Sequence, residues 1–126
     1  MQQTKLFLDD YRNPEMVWKE TINPVYEKNE SWIIVRSFEA FIEYISNNGL
    51  PDLISFDHDL SLAHCLPKNQ TEIDYEKITE KSGYHAAVWL INHCKTISNN
   101  LPICLVHSQN KVGKQNIEQM LSEFSL

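Results

Sequence analysis

The sequence predicts an α/β domain built on a small parallel sheet of about four strands flanked by helices. Three observations lead there. Four short apolar runs are nearly continuous rather than alternating, the pattern of strands buried on both faces. Segments with helical periodicity lie between and after these runs. The chain has 126 residues, which suits a single domain over residues 1–126 whose core needs no disulfide staples.

The strands are KLFL at 5–8, WIIV at 32–35, LISF at 53–56 and ICLV at 103–106. Pro51 and Pro102 stand at the entrances of the third and fourth, where proline is tolerated. After the second strand, Phe38, Phe41, Ile42 and Ile45 recur at helical spacing, with Ser37 as N-cap, Glu39 in the first turn and Gly49 at the end. Ala86, Ala87, Leu90, Ile91 and Cys94 form a second stripe with Ser82 as its cap. Ile117, Met120, Leu121 and Phe124 form a third. Residues 9–31 read as a long irregular connection, with turn signals at Asn13-Pro14 and Asn23-Pro24 and a weak helical pattern near Met16 and Trp18. Residues 58–81 form a second long connection, polar and charged. Loops of this length are functional or disordered, and both begin where open α/β sheets bind ligands, at a strand's carboxyl end. Parallel neighbours in this order imply right-handed crossovers.

Composition narrows the function. Seventeen acidic against eleven basic residues give a net charge of −6, which argues against duplex nucleic acid while leaving room for a small phosphorylated ligand. Cys65, Cys94 and Cys104 offer no C-x-x-C spacing and an odd count, so a reducing, cytoplasmic setting is expected and a zinc site is not. MQQTKLFLDD lacks a signal peptide's apolar run, and no stretch approaches the ~18 apolar residues of a membrane span.

The chemistry lies at the strand ends. The first strand runs into Asp9-Asp10-Tyr11-Arg12, the second into Arg36-Ser37, the third into Asp57-His58-Asp59 and the fourth into His107-Ser108-Gln109-Asn110. Alone, each has a plainer explanation as a cap or turn. Their coincidence on three strands points to one polar site. Four carboxylates at close range raise each other's pKa or require a cation. A hard divalent ion such as Mg²⁺ fits oxygen ligands and a phosphorylated substrate. Arg12 and Arg36 are alternative cations suited to phosphate. His58 and His107 are of the residue type that suits acid–base work. His85 and His93 lie on a helix whose apolar face is already explained and read as structural, Lys111 and Lys114 as solvated. His64-Cys65 lacks metal-ligand spacing.

LFLDDYRNP, SFDHDL and VHSQN together resemble the cyclic-phosphate-processing receiver-like family, a divergent branch of the response-regulator receiver fold met in phages and bacteria. The resemblance spans Leu6 to about Asn116. It implies a flavodoxin- or receiver-like sheet, truncated relative to a full receiver because no fifth strand with its lysine follows the last helix. It implies that Asp9 and Asp10 bind Mg²⁺, that Asp57 matches the phospho-accepting aspartate, that Asp59 adds to the metal shell and that Ser108 is the fourth strand's hydroxyl residue. His58 and His107 are additions that ordinary receivers do not need.

The expectation is therefore a phosphoesterase that processes a cyclic phosphate, either a cyclic nucleotide or a 2′,3′-cyclic RNA end. Asp9, Asp10, Asp57 and Asp59 are the metal set, with Asp59 alternatively orienting His58. His58, His107 and Asp57 are the catalytic set; Arg12, Arg36, Ser108 and Asn110 bind substrate. A phospho-accepting signalling domain using Asp57 and a non-catalytic nucleotide- or protein-binding module are the alternatives. The sheet edges permit a homodimer.

Overall fold

The computed structural model describes residues 3–60 and 81–124. Its four strands are β1 (Lys5–Leu8), β2 (Ile33–Val35), β3 (Leu53–Phe56) and β4 (Ile103–Val106). They pair in parallel in the order β2-β1-β3-β4. The helices are α1 (Pro14–Thr21), α2 (Phe38–Asn48), α3 (Gly83–Thr96) and α4 (Lys111–Glu123). Among the described residues no helix is long and apolar enough to cross a membrane.

The chain moves from β1 to β2 in one direction, and from β2 through β3 to β4 in the other. Right-handed crossovers then place α1 on one face and the later helices on the opposite face. The packing agrees. Leu6, Leu8, Ile54, Phe56 and Val106 meet Phe41 and Ile45 of α2, Ala86, Ala87, Leu90 and Cys94 of α3, and Ile117 of α4. Phe7 and Leu53 turn to the other face, against Val17 of α1, Tyr26 and Trp32. The central strands β1 and β3 are covered on both sides, as their continuous apolar runs require, while the edge strands β2 and β4 leave Ile33 and Ile103 exposed.

Helix α1 corrects the irregular connection expected over residues 9–31. Asn13 is its N-cap, and its carbonyl accepts from Met16 N at 3.0 Å. Pro14 supplies a pre-set first-turn φ. The helix ends at Ile22, a left-handed residue with φ 57° whose N–H returns to Trp18 O at 2.8 Å. Only Pro14 and Val17 of its eight residues are buried, so the helix carries almost no apolar stripe. Two 3-10 turns, Pro24–Tyr26 and Asn29–Ser31, complete this connection. The expected caps are present at α2, where Ser37 Oγ accepts from Ala40 N, and at α3, which begins after Ser82. The long connection expected over 58–81 lies largely outside the described residues, as does the His64-Cys65 pair.

Candidate active site

Register builds the site. Leu8, Phe56 and Val106 form one row across β1, β3 and β4. The next residues are Asp9, Asp57 and His107. The ladder continues into them, with Asp57 N donating to Leu8 O and His107 N to Phe56 O, both at 2.9 Å. Side chains alternate along a strand, so all three point to the α1 face. One ligand atom from each lies within 4.8 Å of the others. His58, one residue further on, points the opposite way, toward α3 and α4.

Asp9 is fully buried and fully bonded. Its Oδ1 accepts from the backbone of Tyr11 at 3.1 Å and of Arg12 at 2.9 Å. Its Oδ2 accepts from Arg12 Nε at 3.0 Å and faces His107 Nε2 at 3.1 Å. Those partners account for the four positions a carboxylate offers. Burial pushes the Asp9 carboxyl up, but hydrogen bonds from His107, Arg12 and Tyr11 outweigh it, so the group stays ionised below the ordinary range.

Arg12, 3% exposed, is the cation of this cluster. Beside Asp9 it reaches Glu20 at 2.6 Å through Nη1, His107 O at 3.0 Å through Nη2, and Asp57 at 3.5 Å. Burial pulls its pKa down, and the three carboxylates more than restore it. Asp57 is 4% exposed. Burial and the Asp9 charge push its carboxyl up to about 7, although Arg12 opposes them. Its Oδ1 accepts from His58 N at 2.9 Å, and the Ser108 hydroxyl bonds its side chain. Asp10 is only partly buried, and burial with the Asp9 charge raises it too.

Two carboxylates and an imidazole are donors a divalent ion accepts. The occupied lone pairs of Asp9 and the guanidinium standing between Asp9 and Asp57 do not fit an ion seated among these three residues. The Asp59 side chain meets His58. Its Oδ1 lies 2.7 Å from His58 Nδ1 and accepts from Asn110 Nδ2 at 3.0 Å. This is the orienting alternative for Asp59.

The two histidines are inside. His58 is fully buried beneath α4, where a Cβ on Gly113 would collide with its ring. His107 has no exposed side-chain surface, stacks on Phe7 at 4.3 Å, and has its pKa lowered by burial against the pull of Asp9. Asn110 caps α4, its Oδ1 accepting from Gly113 N at 2.9 Å. Arg36 is exposed, and its guanidinium donates to Arg12 O at 2.7 Å and Asn13 Oδ1 at 2.8 Å, clamping the turn after β1. Ser108 is partly exposed, and its Oγ accepts from Asn110 N. The structure thus brings Asp9, Arg12, Asp57, His107 and Ser108 together, and groups His58, Asp59 and Asn110 in a second set beside them. His85 accepts from Ser82 N and His93 stacks on Trp89, the structural roles expected of both.

Sequence reasoning missed Ser55 and Tyr26. Both are buried, and their hydroxyls run to His107 in 2.6 Å steps. Ser55 carried a signal: it is the polar residue within LISF and lies two positions before Asp57, hence on the same face. Tyr26 carried none, because its position depends on the fold of the connection between β1 and β2.

A comparison with protein families matches residues 4–123 to the Cyclic-phosphate processing Receiver domain. No curated protein and no solved structure matches the chain. The family match covers nearly the whole chain and all three strand-end clusters, so the protein belongs to the cyclic-phosphate processing receiver domain family.

Proposed function

We propose that the protein opens a cyclic phosphodiester, of a cyclic nucleotide or a 2′,3′-cyclic RNA end, with Asp57 as the proton-transferring group. One observation carries this reading: a carboxyl pushed to about 7 stands at the carboxyl end of β3 beside the Ser108 hydroxyl. General acid–base groups work best with a pKa near the working pH. Water attacks phosphorus, the endocyclic P–O bond breaks, and Asp57 gives its proton to the leaving oxygen. A proton from the incoming water restores it. In this reading the partly exposed Ser108 hydroxyl meets a phosphoryl oxygen, and the exposed Arg36 offers a cation at the same end of the sheet. Arg12 supplies the cationic charge that Asp9 and Asp57 need. His107 holds Asp9, and His58 with Asp59 holds the start of α4 through Asn110.

Purified protein incubated with a panel of cyclic nucleotides and RNAs ending in 2′,3′-cyclic phosphate tests the proposal. Asp57→Asn is expected to lower kcat by about 10²-fold or more, the usual contribution of a general acid. Absence of turnover on every substrate, with and without divalent cations, sinks it. The bond between Ser108 and Asp57 also favours a second reading, a phospho-accepting receiver. A small phosphodonor followed by intact mass separates the two: an adduct lost in Asp57→Asn favours signalling. Tight nucleotide binding without turnover favours a binding module.

A further inference from the structure

The buried side chains on the α1 face form one continuous hydrogen-bonded line. Tyr26 Oη and Ser55 Oγ are 2.6 Å apart, Ser55 Oγ and His107 Nδ1 are 2.6 Å apart, and His107 Nε2 lies 3.1 Å from Asp9 Oδ2. Tyr26 comes from a 3-10 turn, Ser55 from the middle of β3, His107 from the end of β4 and Asp9 from the end of β1. We infer that Ser55 and Tyr26 are positioning residues that lock His107 in the tautomer with its proton on Nε2.

The direction of every proton follows from the charge at one end. Asp9 is an ionised carboxylate and only accepts. The nitrogen facing it must therefore be protonated. In the neutral imidazole the other nitrogen then carries a lone pair and needs a donor. Ser55 is the hydroxyl at that nitrogen, so its single proton points to Nδ1. Having spent that proton, Ser55 Oγ accepts from Tyr26. All three protons point toward Asp9. Moving the imidazole proton to Nδ1 would turn a lone pair toward the carboxylate and reverse both hydroxyls. Stacking on Phe7, with ring planes 6° apart, fixes the plane of the ring. Plane and tautomer are then both set from outside the site. The hydroxyls at 26 and 55 direct their hydrogen bonds to each other and to His107.

A His107 fixed in this form is a hydrogen-bond donor to Asp9 rather than a base. It keeps Asp9 anionic, and the Asp9 charge in turn holds the proton on Asp57. The consequence for turnover rests on the function proposed above; the tautomer itself does not. Long-range proton–nitrogen correlation spectra of the ¹⁵N-labelled full chain read both ring nitrogens of His107. The wild type is expected to show a protonated Nε2 and a bare Nδ1. Ser55→Ala is expected to move both nitrogens toward a mixture, Ser55→Thr to keep the wild-type pattern, and Tyr26→Phe to move it part of the way. In the turnover assay Ser55→Ala is expected to lower kcat about 10-fold at unchanged KM, the size of losing an orienting bond to a functional histidine, with rescue by Ser55→Thr. A proton on Nδ1 in the wild type overturns the inference whether or not any variant folds. Unchanged nitrogens in folded Ser55→Ala also overturn it. The expected tautomer in a protein that turns nothing over would leave this inference standing and remove the function.

Discussion

Replacing Asp57 by asparagine is expected to make the protein more stable, and increasingly so as pH rises. In the unfolded chain the carboxyl titrates near 3.8, and in the folded protein burial and Asp9 carry it to about 7. Below the lower value both states hold the proton and the group contributes nothing. Between the two, the unfolded chain has released its proton while the folded protein still holds it, so each step up in pH favours unfolding. The slope is about 1.4 kcal/mol per pH unit, and the accumulated penalty reaches about 4 kcal/mol by pH 8. That is a large fraction of the ~5–15 kcal/mol that holds a domain of this size together. Asparagine does not titrate. Urea unfolding of both proteins in steps from pH 4 to pH 8 therefore yields a stability difference that drifts toward the variant by about 4 kcal/mol. Asp9 and His107 also titrate with altered pKa values, but both are present in each protein and largely cancel from the difference. A difference flat with pH would refute the reasoning. A drift of opposite sign would show that Arg12 outweighs Asp9 at this carboxylate.

Other perturbations test the remaining parts of the site. Arg12→Met strands Asp9 and Asp57 without their cation and is expected to cost about 3–5 kcal/mol, read from guanidinium denaturation. Gly83→Ala would drive a Cβ into the Asp57 carbonyl, backbone against backbone, and is expected to cost about 3 kcal/mol or to abolish folding, as judged by circular dichroism. With Arg12 as the resident cation, millimolar Mg²⁺ or EDTA is expected to leave the melting temperature unchanged; an increase of several degrees with Mg²⁺ would show an ion bound to the folded state.

Much of this was legible in the chain because strand physics is simple. Continuous apolar runs announced the parallel strands, of which the central two are covered on both faces, and each ended in a polar cluster that register then brought together. Period-two alternation alone separates Asp57 from His58 onto opposite faces. Helix α1 was not legible, since two buried residues in eight leave no stripe and its start and finish rest on Asn13-Pro14 and a left-handed Ile22. The roles of the charged residues were hidden for another reason. Composition offers Arg12 as a phosphate ligand and the aspartates as metal ligands with equal ease. Burial and ion pairing are properties of the fold, and there Arg12 is paired with Asp9 and Asp57. Likewise, His58 and His107 suggested acid–base work as residue types, and only the structure shows that both side chains are without exposed surface, each against a carboxylate.

Charge balance around Asp57 sets the pH at which turnover should fail. Arg12 is already shared between Asp9 and the partly exposed Glu20, so ionising Asp57 adds one negative charge that nothing in the buried cluster offsets. A cyclic phosphodiester brings one more. At about 5 Å and an effective dielectric near 20, its charge costs an ionised Asp57 about 3 kcal/mol, or roughly two pH units. Bound substrate thus holds the proton on Asp57, which suits a donor to the leaving oxygen. The rate profiles should separate accordingly. kcat/KM, which reports the free enzyme, is expected to fall above about pH 7. kcat, which reports the complex, is expected to hold until roughly pH 9. Steady-state kinetics from pH 5 to pH 10 on whichever cyclic phosphate is turned over measures both limbs. A kcat/KM that rises through pH 7 would require the ionised carboxylate and make Asp57 the base that activates water. Coincident limbs for the two parameters would mean that the substrate's charge does not reach Asp57, and the phosphate would then have to sit elsewhere on this face of the sheet.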